Sequence, residues 1–235
     1  MLMTTIPATD PARRRGLLIF DLDGTLLNTI ADLGAACNEA LACCGFPTHR
    51  PDEYPRLVGN GVNKLLERAL PEGAKTEANI LRLRRVFIPY YDTHNRVFTR
   101  PYEGMPDVLR VLRDRGWLLA VASNKYQQAA ADIVAHYFPG LFDVVLGERE
   151  GCPRKPDPQI VSDILRLLGL PAPDRATCPV VYVGDSDVDI LTARNAGLPV
   201  IACTWGFCDT ALLRDLAPDY LIDTPQDLLT IPKLQ

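Results

Sequence analysis

The chain has 235 residues, of which 47% are hydrophobic and 23% charged, with a formal net charge of -4. An apolar share of that size supports a packed core and excludes intrinsic disorder, and the acidic balance gives nucleic acid or an anionic membrane no electrostatic foothold. The length suits one core domain carrying an insertion better than two independent full-size domains.

Residues 1–16 read as an N-terminal tail. They contain the one basic run, Arg13-Arg14-Arg15, and lack the apolar stretch of a signal peptide. No segment reaches the roughly 18 consecutive apolar residues of a membrane span, so a soluble, cytoplasmic protein is expected. The seven cysteines have no Cys-x-x-Cys spacing and read as reduced, small core residues. His49, His94 and His136 have no ligand partner four residues on, which argues against zinc.

The run Leu17-Leu18-Ile19-Phe20 reads as a strand buried on both faces, and Gly24 marks the turn that follows it. Asn28 and Thr29 are placed to cap a helix whose apolar residues Ile30, Leu33, Cys37, Leu41 and Cys44 recur every three or four positions. Helical rhythm continues over 61–70 and 75–98, with no strand signal between 28 and 100. This predicts an all-helical cap over 28–100, inserted between 17–27 and 101–235, with hinges near Asn28 and Arg100-Pro101.

From there strands and helices alternate, the pattern of a parallel sheet with crossover helices. Helices are predicted over 105–116 and 126–137, after Lys155-Pro156-Asp157-Pro158 through 168, and after Gly184-Asp185-Ser186-Asp187 to Asn195-Ala196-Gly197. Strands are predicted over 117–122, 143–146, 180–183, 199–202 and 220–222. Pro156 is expected at the first helical position. The fold class is therefore α/β, a Rossmann-like parallel sheet core with an inserted all-helical cap domain. The dinucleotide fingerprint Gly-x-Gly-x-x-Gly is absent.

Polar clusters follow the strands, where ligands of open α/β sheets bind. Asp21 and Asp23 stand one residue apart past the first strand; Ser123-Asn124, Lys155 and Asp185 follow later ones. Hydrolysis of a phosphate ester needs a nucleophile, charge neutralisation, a cationic anchor and a proton for the leaving oxygen. Asp21 suits the nucleophile and Asp23 the acid and base. Ser123 and Asn124 offer donors to a phosphate, and Lys155 a fixed cation. Hard oxygen ligands point to Mg²⁺, held by the side chains of Asp21 and Asp185 and the backbone carbonyl of Asp23. Asp187 is either a further ligand or a helix cap, and Asp189 either reaches the site or hydrogen-bonds Lys155. In the helical insert, Val58-Gly59-Asn60-Gly61 lies between two predicted helices; Gly59, Asn60 and Gly61 are candidate substrate contacts, because glycine allows close approach and Asn60 offers donor and acceptor.

The segments Phe20-Asp21-Leu22-Asp23-Gly24-Thr25-Leu26, Ser123-Asn124-Lys125, Lys155-Pro156-Asp157-Pro158 and Gly184-Asp185-Ser186-Asp187-Val188-Asp189 resemble, in order, the four motifs of the haloacid dehalogenase superfamily. Val58-Gly59-Asn60-Gly61, Pro101-Tyr102-Glu103-Gly104 and Thr204-Trp205-Gly206-Phe207 are similar to features of its phosphoglycolate phosphatase family. The resemblance implies a Mg²⁺-dependent phosphatase that acts on a small phosphorylated metabolite, first of all 2-phosphoglycolate, through an aspartyl-phosphate. A phosphosugar phosphatase, a pyrophosphatase and a β-phosphoglucomutase-like isomerase share these motifs, as does an inactive metabolite-binding protein on the same fold. Dehalogenation, which needs no acid for the leaving group, fits Asp23 less well.

Overall fold

The apolar run at the start of the chain becomes β1 (Gly16–Phe20), every residue of which is buried. In this computed structural model, which describes residues 15–170, 178–231 and 234, a two-residue strand β2 (Leu27–Asn28) follows. Then come α1 (Ile30–Cys43), α2 (Tyr54–Leu57), α3 (Val62–Ala69), α4 (Glu77–His94) and a second two-residue strand, β3 (Arg100–Pro101). The rest alternates: α5 (Met105–Asp114), β4 (Trp117–Tyr126), α6 (Gln127–Tyr137), β5 (Val144–Glu148), α7 (Gln159–Leu167), β6 (Val180–Gly184), α8 (Asp187–Asn195), β7 (Val200–Cys203), α9 (Thr210–Asp215) and β8 (Tyr220–Ile222). Arg13 and Arg14 of the basic run lie outside the described residues, and Gly16, assigned above to the tail, already belongs to β1.

The main sheet has six strands in the order β5-β4-β1-β6-β7-β8, all parallel. Because side chains alternate across a strand, β1 feeds two cores at once. Leu18 and Phe20 pack with Val108, Leu109 of α5 and Ile133 of α6, whereas Leu17 and Ile19 pack with Ile160, Ile164 of α7 and Ile190 of α8. Burial on both faces is why the strand reads as an unbroken apolar run. The chain passes from β1 to β4 and β5 on one side and returns to β6 on the other, so the strand order reverses beside β1 and opens a crevice at the carboxyl ends.

The helices between β2 and β3 have a core of their own. Leu33, Cys37 and Leu41 of α1 meet Leu65 and Leu66 of α3 and Leu83, Phe87 and Tyr91 of α4, each set at helical spacing. Ala129 of α6 joins this cluster and marks where the helical unit rests on the sheet layer. Among the described residues no helix is long and apolar enough to cross a membrane.

Several local details depart from the sequence reading. Residues 28 and 100 do not stand as separate linkers: Leu27 pairs with Pro101 and Asn28 with Arg100 in an antiparallel ribbon. Thr29 occupies the N-cap of α1 without a side-chain bond to it, while Asn28 Oδ1 accepts from Ile30 N at 3.4 Å. Pro156 precedes α7 rather than opening it, because Pro158 is the cap and Gln159 the first helical residue. Ser186, not Asp187, caps α8, forming a reciprocal pair with Asp189. Strand β4 runs on to Tyr126 because its pairing resumes, Ala122 facing Leu146 and Tyr126 facing Glu148 across an irregularity. The short α9, capped by Asp209, has too few turns to leave a periodic signal. Of the cysteines read as core residues, Cys37, Cys44 and Cys203 are buried but Cys43 is exposed.

One buried carboxylate secures the ribbon. Asp32, in the first turn of α1, accepts from Phe98 N at 3.0 Å and Thr99 N at 2.9 Å. Asp32→Ala leaves those two amides without an acceptor and is expected to lower stability by about 1–3 kcal/mol in urea unfolding, with Asp32→Asn costing less.

Candidate active site

Asp21 continues the ladder of β1, its amide donating to Val183 O at 2.9 Å, so its carboxylate emerges at the carboxyl edge of the sheet. The backbone then turns sharply. Gly24 has φ of +96°, and a Cβ there would lie 2.3 Å from Asp185 Oδ2, so only glycine permits this approach of the turn to the end of β6. The irregularity in β4 throws Ser123, Asn124 and Lys125 toward the same edge.

Lys155 ties the strand ends together. Its ammonium donates to Asp21 Oδ1 at 2.7 Å, Asp189 Oδ1 at 2.7 Å and Ala122 O at 2.9 Å, and lies 3.0 Å from the Tyr182 hydroxyl. Asn124 holds the lysine from behind: Lys155 N donates to its Oδ1 at 2.9 Å and its amide donates to Lys155 O at 3.2 Å. The Asn124 side chain thus clamps a neighbour instead of standing free toward a ligand. Asp189 is also fully engaged, since its second oxygen accepts from the Ser186 hydroxyl at 2.6 Å and the Ser186 amide at 3.1 Å. Of the two roles open to Asp189 in the sequence, the geometry shows the bond to Lys155.

The electrostatics are those of surplus negative charge. Burial, partly offset by Lys155 and reinforced by Asp189, pushes Asp21 up to about 7. Burial also raises Asp185 well above the carboxylate range, with Asp189 and Asp21 adding to the effect. Desolvation works against the charge on Lys155, but Asp189 and Asp21 outweigh it and hold the ammonium protonated. Asp185 makes no ion pair with a described residue; it accepts from the Thr25 hydroxyl at 2.8 Å and Phe207 N at 2.9 Å. Asp21, Asp185 and Asp189 each present an oxygen, all within 4.8 Å of one another. One ammonium for three buried carboxylates leaves a deficit that a hard divalent cation with oxygen ligands fits.

Asp23 points elsewhere. Its two oxygens accept from Lys125 Nζ at 3.0 and 3.2 Å. Ser123 Oγ accepts from Lys125 N at 3.2 Å. Asp21, Asp23, Ser123 and Asp185 line one end of a cavity of about 430 Å³, and the helical unit closes the other with Val58-Gly59-Asn60-Gly61. Asn60 and Gly61 take φ of +61° and +83°, and a Cβ on Gly61 would lie 3.1 Å from Asn124 O. The loop therefore lies directly against the β4 irregularity. Asn60 Oδ1 is buried with no hydrogen-bond partner. Arg68 fixes the loop from below, donating to the carbonyls of Leu57 and Val58 at 3.2 and 3.1 Å.

The structure thus gathers Asp21, Asp23, Ser123, Asn124, Lys155, Asp185 and the loop 59–61 around one cavity. Sequence reasoning gave no role to Thr25, Lys125, Tyr91 or Tyr182. Thr25 and Lys125 sit inside quoted motifs, and that adjacency was the available signal. Tyr91 and Tyr182 stand among the apolar residues of α4 and β6, and nothing local distinguishes them.

Known proteins resemble this chain along most of its length. Residues 18–203 match the model of the haloacid dehalogenase-like hydrolases. The phosphoglycolate phosphatase of Aquifex aeolicus is 32% identical over 92% of this chain and 95% of its own length. That of Mesorhizobium japonicum is 34% identical over 92% and 94%. A candidate phosphoglycolate phosphatase from Lactobacillus delbrueckii subsp. bulgaricus, solved by crystallography, superposes with a TM-score of 0.83 at 34% identity, covering 92% of this chain and 97% of that one.

Removing the cation while leaving its partners buried should be costly. Lys155→Met is expected to lower stability by about 3–5 kcal/mol in denaturant unfolding, whereas a loss below about 1 kcal/mol would show that Asp21 and Asp189 reach water without it.

Proposed function

Because the chain belongs to the haloacid dehalogenase-like hydrolases, we propose that it is a Mg²⁺-dependent phosphatase of a small phosphorylated metabolite, 2-phosphoglycolate, working through an aspartyl-phosphate. The observation that carries this reading is the Asp21 carboxylate at the tip of β1, held 2.7 Å from Lys155 at the floor of the cavity. The names of the relatives from Aquifex aeolicus and Mesorhizobium japonicum support the choice of substrate.

In the first step an Asp21 oxygen forms a bond to phosphorus while the bond from phosphorus to the ester oxygen breaks, and Asp23 gives its proton to that oxygen. The product is an alcohol, glycolate in the case proposed, with the phosphoryl group on Asp21. In the second step Asp23, now a carboxylate, takes a proton from water as the water oxygen attacks phosphorus. The phosphoryl bond to Asp21 breaks, inorganic phosphate leaves, and both aspartates return to their starting states. Lys155 keeps the nucleophile oriented throughout, and Ser123 offers its hydroxyl to a phosphoryl oxygen. Asp21 and Asp185, with the backbone carbonyl of Asp23, would hold Mg²⁺, which supplies positive charge against the phosphoryl oxygens and favours the ionised nucleophile.

The helical unit over 28–100 acts as a cap in this reading. Its loop 58–61 faces the reacting end of the cavity, and the orphaned Asn60 Oδ1, the loop amides and the N-terminus of α3 are suited to the non-phosphoryl end of the substrate. Closure would exclude water from the phosphoryl group.

Three measurements test the reading. Asp21→Asn, nearly isosteric, is expected to abolish turnover while the circular dichroism spectrum stays that of the native chain; wild-type activity would remove Asp21 from the mechanism. Exhaustive chelation should stop phosphate release, with Mg²⁺ restoring it and Ca²⁺ inhibiting, because Ca²⁺ takes longer bonds and more ligands. Asn60→Gly removes the amide yet keeps a residue tolerant of positive φ. It is expected to lower kcat/KM for 2-phosphoglycolate about tenfold while leaving p-nitrophenyl phosphate nearly unchanged.

A further inference from the structure

Lys125 belongs to none of the steps above, yet its ammonium is among the most enclosed charges in the molecule, its side chain only 2% exposed. It reaches in two directions. Toward the sheet it bridges both oxygens of Asp23, and toward the helical unit it donates to the Tyr91 hydroxyl at 2.7 Å, lying 4.5 Å from the centre of that ring. Tyr91 is anchored in turn, buried on α4 and stacked on Phe87 with ring centroids 5.5 Å apart. The adjacent pair repeats the pattern, for the Tyr126 hydroxyl donates to Asp92. Two consecutive residues at the end of β4 therefore hold two consecutive residues of α4, and one of the four is the sole ion-pair partner of Asp23 among the described residues.

The geometry points to Lys125 as a positioning residue that aims Asp23 at the leaving oxygen only while Tyr91 of the helical unit holds it. This inference rests on the reading of Asp23 as the proton donor. The physical argument is one of freedom: an aspartate side chain has two rotatable bonds, and a bidentate contact to one nitrogen removes both. The nitrogen is itself at the end of four rotatable bonds, and the tyrosine hydroxyl and ring fix where it ends. Since Tyr91 moves with α4 and Asp23 with β1, the donor is aimed only when the helical unit is seated on the sheet. A misplacement of about 1 Å at such a group costs up to about 10²-fold in rate.

The test compares Lys125→Met, Tyr91→Phe, the double variant and Lys125→Arg at saturating Mg²⁺ in single-turnover release of the leaving group, the first step alone, from 2-phosphoglycolate and from p-nitrophenyl phosphate, whose phenolate departs without a proton donor. The second step, in which Asp23 acts on water for both substrates alike, is thereby left out of the comparison. Lys125→Met should lower the single-turnover rate on 2-phosphoglycolate about tenfold or more with KM little altered, and that on p-nitrophenyl phosphate by less than about threefold. Tyr91→Phe should shift both in the same direction by less, the double variant should be no worse than Lys125→Met, and Lys125→Arg should recover part of the loss. Equal losses on the two substrates, a loss confined to KM, or strictly additive effects of the two substitutions would overturn the inference. Tyr91→Phe removes a single oxygen and keeps the question open to measurement if Lys125→Met does not fold. Asp23→Asn is run alongside. In single-turnover release of the leaving group it should discriminate between the substrates more strongly than Lys125→Met; if it treats them alike there, the role of Asp23 as proton donor has itself failed, and that failure is seen in a variant that leaves Lys125 in place.

Discussion

The buried contact between Lys155 and its two aspartates is the constraint around which the sheet edge is arranged. An ammonium this far from water is tolerable only if every proton finds an acceptor, and here Asp21, Asp189 and Ala122 O supply them from β1, the first turn of α8 and β4. Each acceptor is fixed by something further out. Asp189 is held by the Ser186 cap, Asp21 by its amide bond to Val183 O, and the lysine backbone by Asn124. Three strands and a helix terminus are thereby locked at one point, and the catalytic edge is rigid because its charge cannot be left unpaired.

The same contact explains the different settings of the two aspartates past β1. Asp21 is turned inward to Lys155 and shares its surroundings with Asp185, so its environment is dominated by burial and by neighbouring charge. Asp23, two residues on and on the far side of the turn at Gly24, faces the cavity and the helical unit through Lys125. A nucleophile needs a fixed aim, whereas a group that both gives and takes a proton needs access to leaving group and water. In the proposed mechanism the spacing of the two residues places one in each setting.

Much of this was legible in the sequence because it is written locally. The alternation of strand and helix, the apolar run of β1 and the clustering of polar residues after strands each depend on neighbours in the chain, and the six-stranded sheet and its surrounding helices follow from them. Position along the chain also brought Asp21, Ser123, Lys155 and Asp185 to one edge, since each lies in or beyond the carboxyl end of a strand of a parallel sheet. What was hidden depends on pairing across distance. The extension of β4 to Tyr126 rests on a partner in β5, and the clamp of Asn124 on Lys155 joins residues 31 positions apart. The bond from Lys125 to Tyr91 spans 34. Helix details failed for a milder reason: Ser186 and Asp187 are equally good caps by type, and only the backbone at Ser186 decides between them.

The ribbon of β2 and β3 carries an implication about modularity. Leu27 and Pro101 face each other as a pair without a hydrogen bond between them, proline having no N–H to give, so the chain leaves the sheet layer and re-enters it within about 4.5 Å. To the rest of the fold, everything between them is equivalent to the loop of a hairpin. A two-residue turn would close the same gap, and closing it with a long insert instead costs only a slowly growing entropy. The helical unit is thus topologically interchangeable: a larger, smaller or differently shaped insert can be grafted at Leu27 and Pro101 without altering a strand pairing in the main sheet, so selectivity can diverge while the chemistry beneath it stays the same.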